Sequence, residues 1–190
     1  MIEPHGKILL FSDFHGRKDA FLLFKEKLKE EKPDFVILLG DIYAYGPRNG
    51  RPNDYDPWDV QRELFALKKE YKLLGVKGNC DDTDEYLPYY VFPCLELKIN
   101  GIKTIAFHGD DPSIKAFKGK TYDLYMFGHT HLPLCEIQDD KIYLNPGSIG
   151  FPKGGHVPTY IEINKKKIIL KTLKEGKIEK EIEVARWTKE

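Results

Sequence analysis

The sequence predicts an α/β protein built from two packed β-sheets with helices outside. Three observations carry that prediction. The first half alternates short apolar runs with stretches of helical periodicity, in the order βαβα. The second half is a succession of short strand-like runs separated by turn residues. Finally, 190 residues with 41% hydrophobic and 13% aromatic side chains suffice for one domain, residues 1–190, with a proper core.

Lys7–Ser12 is a short apolar run that passes into polar residues, a strand feeding a loop. Asp19 is placed to cap a helix whose apolar positions Phe21, Phe24 and Leu28 follow helical spacing. Phe35–Leu39 is a second strand, ended by Gly40-Asp41, and the polar Pro- and Gly-containing stretch Ile42–Tyr55 reads as a long loop. Asp56-Pro57 has the form of an N-cap and first helical position. Val60, Leu64, Leu67, Tyr71 and Leu74 then mark one helix face, with Gly75 as its stop. Beyond residue 88 the period changes. Cys94–Ile99 alternates apolar and polar residues, Asn100-Gly101 marks a tight turn, and Ile102–Phe107 returns as its partner. Leu124–Phe127, Leu134–Ile137, Ile142–Asn145, Thr159–Ile163 and Ile168–Leu170 are further strands, Asp139-Asp140 a turn, and Lys165-Lys166-Lys167 a solvated hairpin tip.

The residues that close these runs are unusual. Asp13 and His15 follow the first strand, Gly40-Asp41 the second, and Gly78-Asn79-Cys80-Asp81 the second helix and Val76. His108-Gly109-Asp110 follows Ile102–Phe107, and Gly128-His129-Thr130-His131 follows Leu124–Phe127. In an α/β sheet the carboxyl ends of the strands share one edge, where ligands bind. His129 and His131, two apart in extended chain, leave from the same side towards a common point. Taken singly, each piece has an ordinary explanation: an Asx turn for Asp13, a common strand exit for Asp41, a satisfied lone histidine for His108. Their recurrence behind five apolar runs favours a metal site. Carboxylate, imidazole and amide donors suit Mn, Fe, Co, Ni or Zn. They exceed one tetrahedral site and include no thiolate cluster, so two divalent ions about 3.5–4 Å apart would use them all. Such a centre favours an anionic substrate and an in-line displacement at phosphorus.

Asp13-x-His15, Gly40-Asp41, Gly78-Asn79-x-Asp81, His108-Gly109 and Gly128-His129-x-His131 together resemble the calcineurin-like metallophosphoesterase superfamily. The stretches GDIYAYGPRN, GNCD, GHTHLP and NPGSIGFPKGG look most like its small, single-domain phosphodiesterases, over roughly residues 8 to 163. The resemblance implies a four-layer α/β sandwich of two mixed sheets flanked by helices, and a binuclear site, often manganese-dependent. It implies that Asp13, His15 and His131 hold one ion and that Asn79, His108 and His129 hold the other. Asp41 would bridge them, and Asp41, Asn79 and His108 would also serve catalysis. A bridging water or hydroxide would attack phosphorus, with the ions offsetting charge on the other oxygens.

One position departs from the family. Many members carry a histidine directly after the motif asparagine, placed to protonate the leaving group, where this chain has Cys80. A neutral thiol is a poorer donor than an imidazolium, so good leaving groups are expected to be favoured. Cys80 is not needed as a nucleophile once a metal activates water. Arg17, Arg48 and Cys80 are the expected substrate-binding residues, the arginines being near the rim and suited to phosphate. Tyr43 and Tyr45 either line the pocket or pack the loop. Asn145-Pro146-Gly147-Ser148 is expected to shape a tight loop beside the metals, His156 is a loop histidine, and His5 is uninvolved. An arginine soon after the second aspartate motif marks protein phosphatases. Here Arg48 comes only after Tyr45-Gly46-Pro47, which argues against that branch.

The expected activity is hydrolysis of phosphodiesters, with phosphomonoesters the nearest alternative. The fold also serves as a protein-binding scaffold in a retromer subunit lacking a complete ligand set, and the full set of seven here favours catalysis. Lys+Arg 30 against Asp+Glu 30 opposes a general nucleic-acid or membrane-surface binder. No apolar stretch approaches the roughly 18 residues of a membrane span. Three unpaired-looking cysteines and the absence of a signal-peptide pattern point to the reducing cytoplasm. The expected partner is a small phosphate ester, with no nucleic acid and no membrane; self-association into a homo-oligomer stays open.

Overall fold

The structure, a computed structural model, describes residues 2–81, 87–89 and 92–184. Its elements run β1 (Ile8–Phe11), α1 (Lys18–Glu31), β2 (Phe35–Leu38), α2 (Pro57–Leu67) and β3 (Leu73–Gly75). Then come β4 (Cys94–Ile99), β5 (Ile102–Phe107), α3 (Asp111–Lys115), β6 (Leu124–Met126), β7 (Pro133–Gln138) and β8 (Lys141–Pro146). Strands β9 (Thr159–Ile163), β10 (Lys167–Thr172) and β11 (Ile178–Glu183) complete the order.

They form a six-stranded sheet, β11-β10-β9-β1-β2-β3, and a five-stranded sheet, β4-β5-β6-β8-β7. Both are mixed. β1, β2 and β3 run parallel, as do β5, β6 and β8, while β9 lies antiparallel to β1 and β7 to β8. Strand β1 has both faces covered, which is why it reads as an unbroken apolar run rather than an alternation. Ile8 and Leu10 join Ile37, Leu124, Met126, Leu144 and Ile161 between the sheets. Leu9 and Phe11 face the opposite way, against Phe21, Phe24 and Leu28 of α1 and Val60, Leu64 and Leu67 of α2. Two β-layers and an outer helical layer follow. The fourth layer, over the five-stranded sheet, is thin: Phe117, Tyr122 and Tyr125 packed on Ile105 and Phe107.

Two hairpins have the turns their residues demand. Asn100 and Gly101 (φ 47° and 89°) join β4 to β5, and Asp139 and Asp140 (φ 48° and 57°) join β7 to β8. Asp56 caps α2 by accepting the Asp59 N–H at 3.0 Å, with Pro57 in the first turn. Lys165 and Lys166 are exposed at the β9–β10 hairpin tip, while Lys167 opens β10 and pairs with Glu181.

Other expectations are corrected. Asp19 does not cap α1. Arg17 occupies the cap position, and Asp54, from the following loop, accepts the Lys18 and Asp19 amides through its carbonyl and carboxylate. Helix α2 stops at Leu67, and Leu74 and Gly75 lie on β3 instead. The helical spacing continues through Tyr71 and Leu74, but pairing of Leu73–Gly75 with Val36–Leu38 overrides it. α3 and β11 were not anticipated. β11 is an edge strand of alternating charge, IEKEIE, which protects the edge but hides the strand.

Candidate metal centre

The carboxyl ends of β1, β2, β3, β5 and β6 meet along one rim shared by both sheets. Each brings its polar residues there by turning sharply. Asp13, His15, Asp41, His129 and His131 all have left-handed backbone, with φ of 58°, 55°, 55°, 66° and 61°. That conformation costs a non-glycine residue about 1 to 3 kcal/mol and persists only where the surroundings over-determine it. Main-chain bonds do so here: Asp13 N–H donates to Gly40 O, His15 N–H to Asp41 O, and Gly150 N–H to Asp13 O, at 2.9 to 3.1 Å. Glycines permit the close approach. A Cβ on Gly128 would collide with Ser12 Oγ, and one on Gly78 with the Asp41 carboxylate.

All seven expected ligand residues converge. His15 Nε2 and His131 Nε2 are 3.1 Å apart, and Asp13 Oδ1 lies 3.7 Å and 3.3 Å from them. His108 Nε2 is 3.1 Å from Asn79 Oδ1 and 3.3 Å from His129 Nδ1. Asp41 Oδ2 reaches both groups, 3.8 Å from His15 Nε2 and 3.4 Å from His108 Nε2.

Three main-chain carbonyls orient the rings. His15 Nδ1 donates to Ala44 O (2.8 Å), His131 Nδ1 to Phe151 O (2.7 Å) and His108 Nδ1 to Leu39 O (2.7 Å). In each neutral imidazole the inward Nε2 is then a bare lone pair. Lone pairs of His15 and His131 face each other beside Asp13 Oδ1, a buried oxygen that accepts no hydrogen bond. Acceptors gathered in this way attract positive charge, whether a proton or a metal ion. The donor set therefore fits a divalent metal, and carbonyl-oriented imidazoles are the usual supporting arrangement.

Electrostatics agree. Burial alone would raise the Asp13 carboxyl, yet the neighbouring imidazoles of His131, His15 and His108 hold it below the usual carboxylate range. Asp41 is held down in the same way, mainly by His108 against the effect of burial. Burial opposes charge on His108 too, but Asp41 and Asp13 raise it to about 9. His129 is lowered, by burial and by the charge of His108. The centre is a sink for positive charge.

A cleft of about 400 Å³ opens over these residues, lined by His15, Asp41, Asn79, Cys80, His129 and His131 together with Gly46–Asn49, Thr130 and Lys153. Arg48 and Cys80 are thus part of the cleft lining. Arg17 is not. Its Nε donates to Asp54 (2.9 Å), its Nη1 to Gly150 O (2.8 Å), and the guanidinium lies over Phe151, so it braces the rim. Tyr43 is buried and Tyr45 packs edge-on against Tyr55; both build the loop. Asn145 donates to Gly128 O and Thr130 Oγ1, and Ser148 donates to Asp13 O, supporting the ligand loops from behind. Among the described residues His5 bonds to Glu3 O, and His156 lines a different surface.

Two residues were missed. Asp81 is buried and accepts the amides of Gly78, Asp41 and Ile42 at 2.7 to 2.8 Å, tying the β2 and β3 loops together. Its place in Gly78-Asn79-x-Asp81 was visible, its function not. Lys153 lines the cleft, and the sequence offers only its position in FPKGG. Cys80 N–H donates to Asp41 Oδ1 at 2.8 Å. Its thiol is pushed up to about 12 by burial, the Asp41 charge and contact with that carboxylate.

Residues 7–167 match the model of the calcineurin-like phosphoesterase superfamily domain. The phosphodiesterase YfcE of Escherichia coli is 30% identical over 160 residues, 81% of this chain and 85% of that protein. The probable metallophosphoesterase YsnB of Bacillus subtilis is 26% identical over 161 residues, 80% of each. The solved structure of the E. coli phosphoesterase YfcE superposes with a TM-score of 0.84 at 26% identity, covering 94% of this chain and 99% of that one. Vacuolar protein sorting 29 from Cryptosporidium parvum shares the fold, with a TM-score of 0.62 at 20% identity over 95% of this chain and all of that one. With the same two-sheet architecture and a family match across most of its length, the chain belongs to the calcineurin-like phosphoesterase superfamily, hydrolases of phosphoric esters.

Proposed function

We propose that the protein hydrolyses small phosphodiesters at a binuclear divalent-metal centre, with manganese as the working ion. Asp13, His15 and His131 would hold one ion, Asn79, His108 and His129 the other, and Asp41 both. The observation that carries this reading is the convergence of Nε2 lone pairs from His15 and His131 on the unsatisfied Asp13 Oδ1. Such ions supply Lewis acidity towards phosphoryl oxygens and lower the pKa of water.

The chain's own residues do the rest. Ala44, Phe151 and Leu39 carbonyls keep three imidazoles aimed inward, so little reorganisation is needed on binding substrate. Asn79 turns its amide nitrogen to Cys80 Sγ (3.2 Å), leaving Oδ1 for the centre. Cys80 stays a neutral thiol, a poor proton donor and a poor nucleophile, so esters with good leaving groups are favoured. The named activity of YfcE favours a phosphodiester substrate. The free thiols of Cys80, Cys94 and Cys135 suit a reducing compartment such as the cytoplasm.

The test strips the protein with a chelator, restores single divalent ions, and compares an aryl phosphodiester with the matching monoester. Activity should vanish on stripping, return best with manganese, and favour the diester; His129→Ala should abolish it. Full activity without metal would overturn the mechanism, and equal rates on both esters would overturn the diester assignment.

A further inference from the structure

The cleft has two walls, each ending in a cation. On one wall Gly46–Asn49 sits beside Asn79 and Cys80; on the other Lys153 sits beside His129–His131. Both cations ride on closed turns. Asn49 N–H donates to Gly46 O (3.3 Å) and its side chain to Tyr45 O (2.7 Å), bracketing Arg48, while Gly46 rests against Cys80. Lys153 N–H donates to His131 O (3.2 Å) and its carbonyl accepts His156 N–H (3.1 Å), with Gly154 and Gly155 at φ 64° and 77° making the turn. Both side chains are exposed, and neither pairs with a carboxylate among the described residues.

The charge at the centre makes these cations surplus to the scissile phosphate. Two divalent ions would carry +4, and Asp13, Asp41 and an attacking hydroxide −3, so a phosphodiester monoanion would already neutralise the centre. Positive groups added at the mouth on separate loops therefore have another anion to meet.

We infer that Arg48 and Lys153 recognise a second anionic group on the substrate, a phosphate or carboxylate carried beyond the scissile phosphorus. The inference rests on the proposed phosphoesterase reading. Arg48 offers a planar fork suited to phosphate or carboxylate, and Lys153 a compact point charge on the other loop. Together they make the enzyme selective for doubly anionic esters over neutral-tailed or cationic ones.

The test measures kcat/KM for three esters with one leaving group. These are the 5′-p-nitrophenyl ester of thymidine 3′,5′-bisphosphate, that of thymidine 5′-monophosphate, and p-nitrophenyl phosphorylcholine. A p-nitrophenyl phosphodiester ending in a carboxylate, with no nucleoside, separates recognition of charge from recognition of a nucleotide. The wild type should prefer each doubly anionic ester over thymidine 5′-monophosphate's by about tenfold, expressed in KM rather than kcat. Lys153→Met and Arg48→Met should each collapse that ratio several-fold. Lys153→Glu should reverse it towards the choline ester, Lys153→Arg should restore it, and Lys165→Met, at the distant hairpin tip, should leave it alone. A ratio near one in the wild type, or one unmoved by Lys153→Glu, overturns the inference. Calorimetry of thymidine 3′,5′-bisphosphate against the 5′-monophosphate reads the same preference as binding. If no ester is cleaved, the proposed function falls, and calorimetry still decides the anion pair.

Discussion

Asp81 offers the sharpest test of how the centre is held. Its Oδ2 accepts the amides of Asp41 and Gly78 and its Oδ1 that of Ile42, all within 2.8 Å and all buried. In Asp81→Asn the amide oxygen keeps the Oδ2 position, where it still serves two donors, and the NH2 group then faces the Ile42 N–H. A buried donor left unpaired costs about 1–3 kcal/mol, with more lost as the two remaining bonds become neutral. Against this, burial and the Asp41 charge raise the Asp81 carboxyl, so removing its charge returns part of the loss. The net destabilisation is about 2 kcal/mol, or a fall in Tm of about 4–8 °C for a chain of this size. Because Asp41 N–H is one of the bonded amides, the carboxylate proposed to bridge the ions also loosens, and manganese affinity should fall by about 10- to 100-fold. Denaturant titration measures the first effect and calorimetry the second. A variant with unchanged Tm and unchanged affinity would refute the claim that Asp81 holds the β2 and β3 loops in register.

Other consequences are equally open to measurement. Cys80→His should raise kcat on esters with poor leaving groups by about tenfold or more relative to aryl esters; an unaltered ratio would mean that position 80 takes no part in proton transfer. Glu31 accepts from Lys7 and Tyr160 (both 2.8 Å) and lies 3.4 Å from Lys171; burial opposes its ionisation, but these partners lower its carboxyl to about 2. Because the folded pKa is depressed, the stabilisation is complete above the ordinary 4.5 and is lost as pH falls towards 2. After discounting for solvent screening it amounts to about 1–2 kcal/mol, and Glu31→Gln should flatten the acid limb of a plot of unfolding free energy against pH by that amount. Manganese at about a hundred times its Kd should stabilise the protein by about 2.7 kcal/mol, seen as a higher Tm; a Tm indifferent to manganese would deny a site in the native state.

What the sequence revealed and concealed follows from the range of the forces involved. The β4–β5 hairpin was legible because alternation and Asn100-Gly101 act within a few residues, and α2 because Asp56 caps it locally. The start of α1 was not, since its amides are met by Asp54 from a loop some 35 residues on. β3 is three residues long and owes its strand form to β2. β11 is an edge, where charge replaces the apolar pattern that marks the other strands.

The same division runs through the centre, and it explains the geometry there. Six of the seven donors were legible because each stands close behind an apolar strand, and Asn79 because it follows Val76 and Gly78. Their aim was not, because main-chain groups set it: carbonyls of Leu39, Ala44 and Phe151 choose which imidazole nitrogen points inward, and no side-chain pattern records them. Nor does sequence show that five of the donors take left-handed backbone. That strain has a use. Extended chain would carry Asp13 and Asp41 onward out of the sheet, whereas a left-handed residue folds the chain back over the strand ends. The side chains of one sheet then meet those of the other. Asp13 illustrates the result: its Oδ2 accepts His129 N–H across the gap at 3.1 Å, which leaves Oδ1 as the oxygen presented to His15 and His131. The two sheets are therefore joined at the rim by the same carboxylate that is proposed to hold the metal, so the geometry of the centre is a consequence of how the sandwich closes.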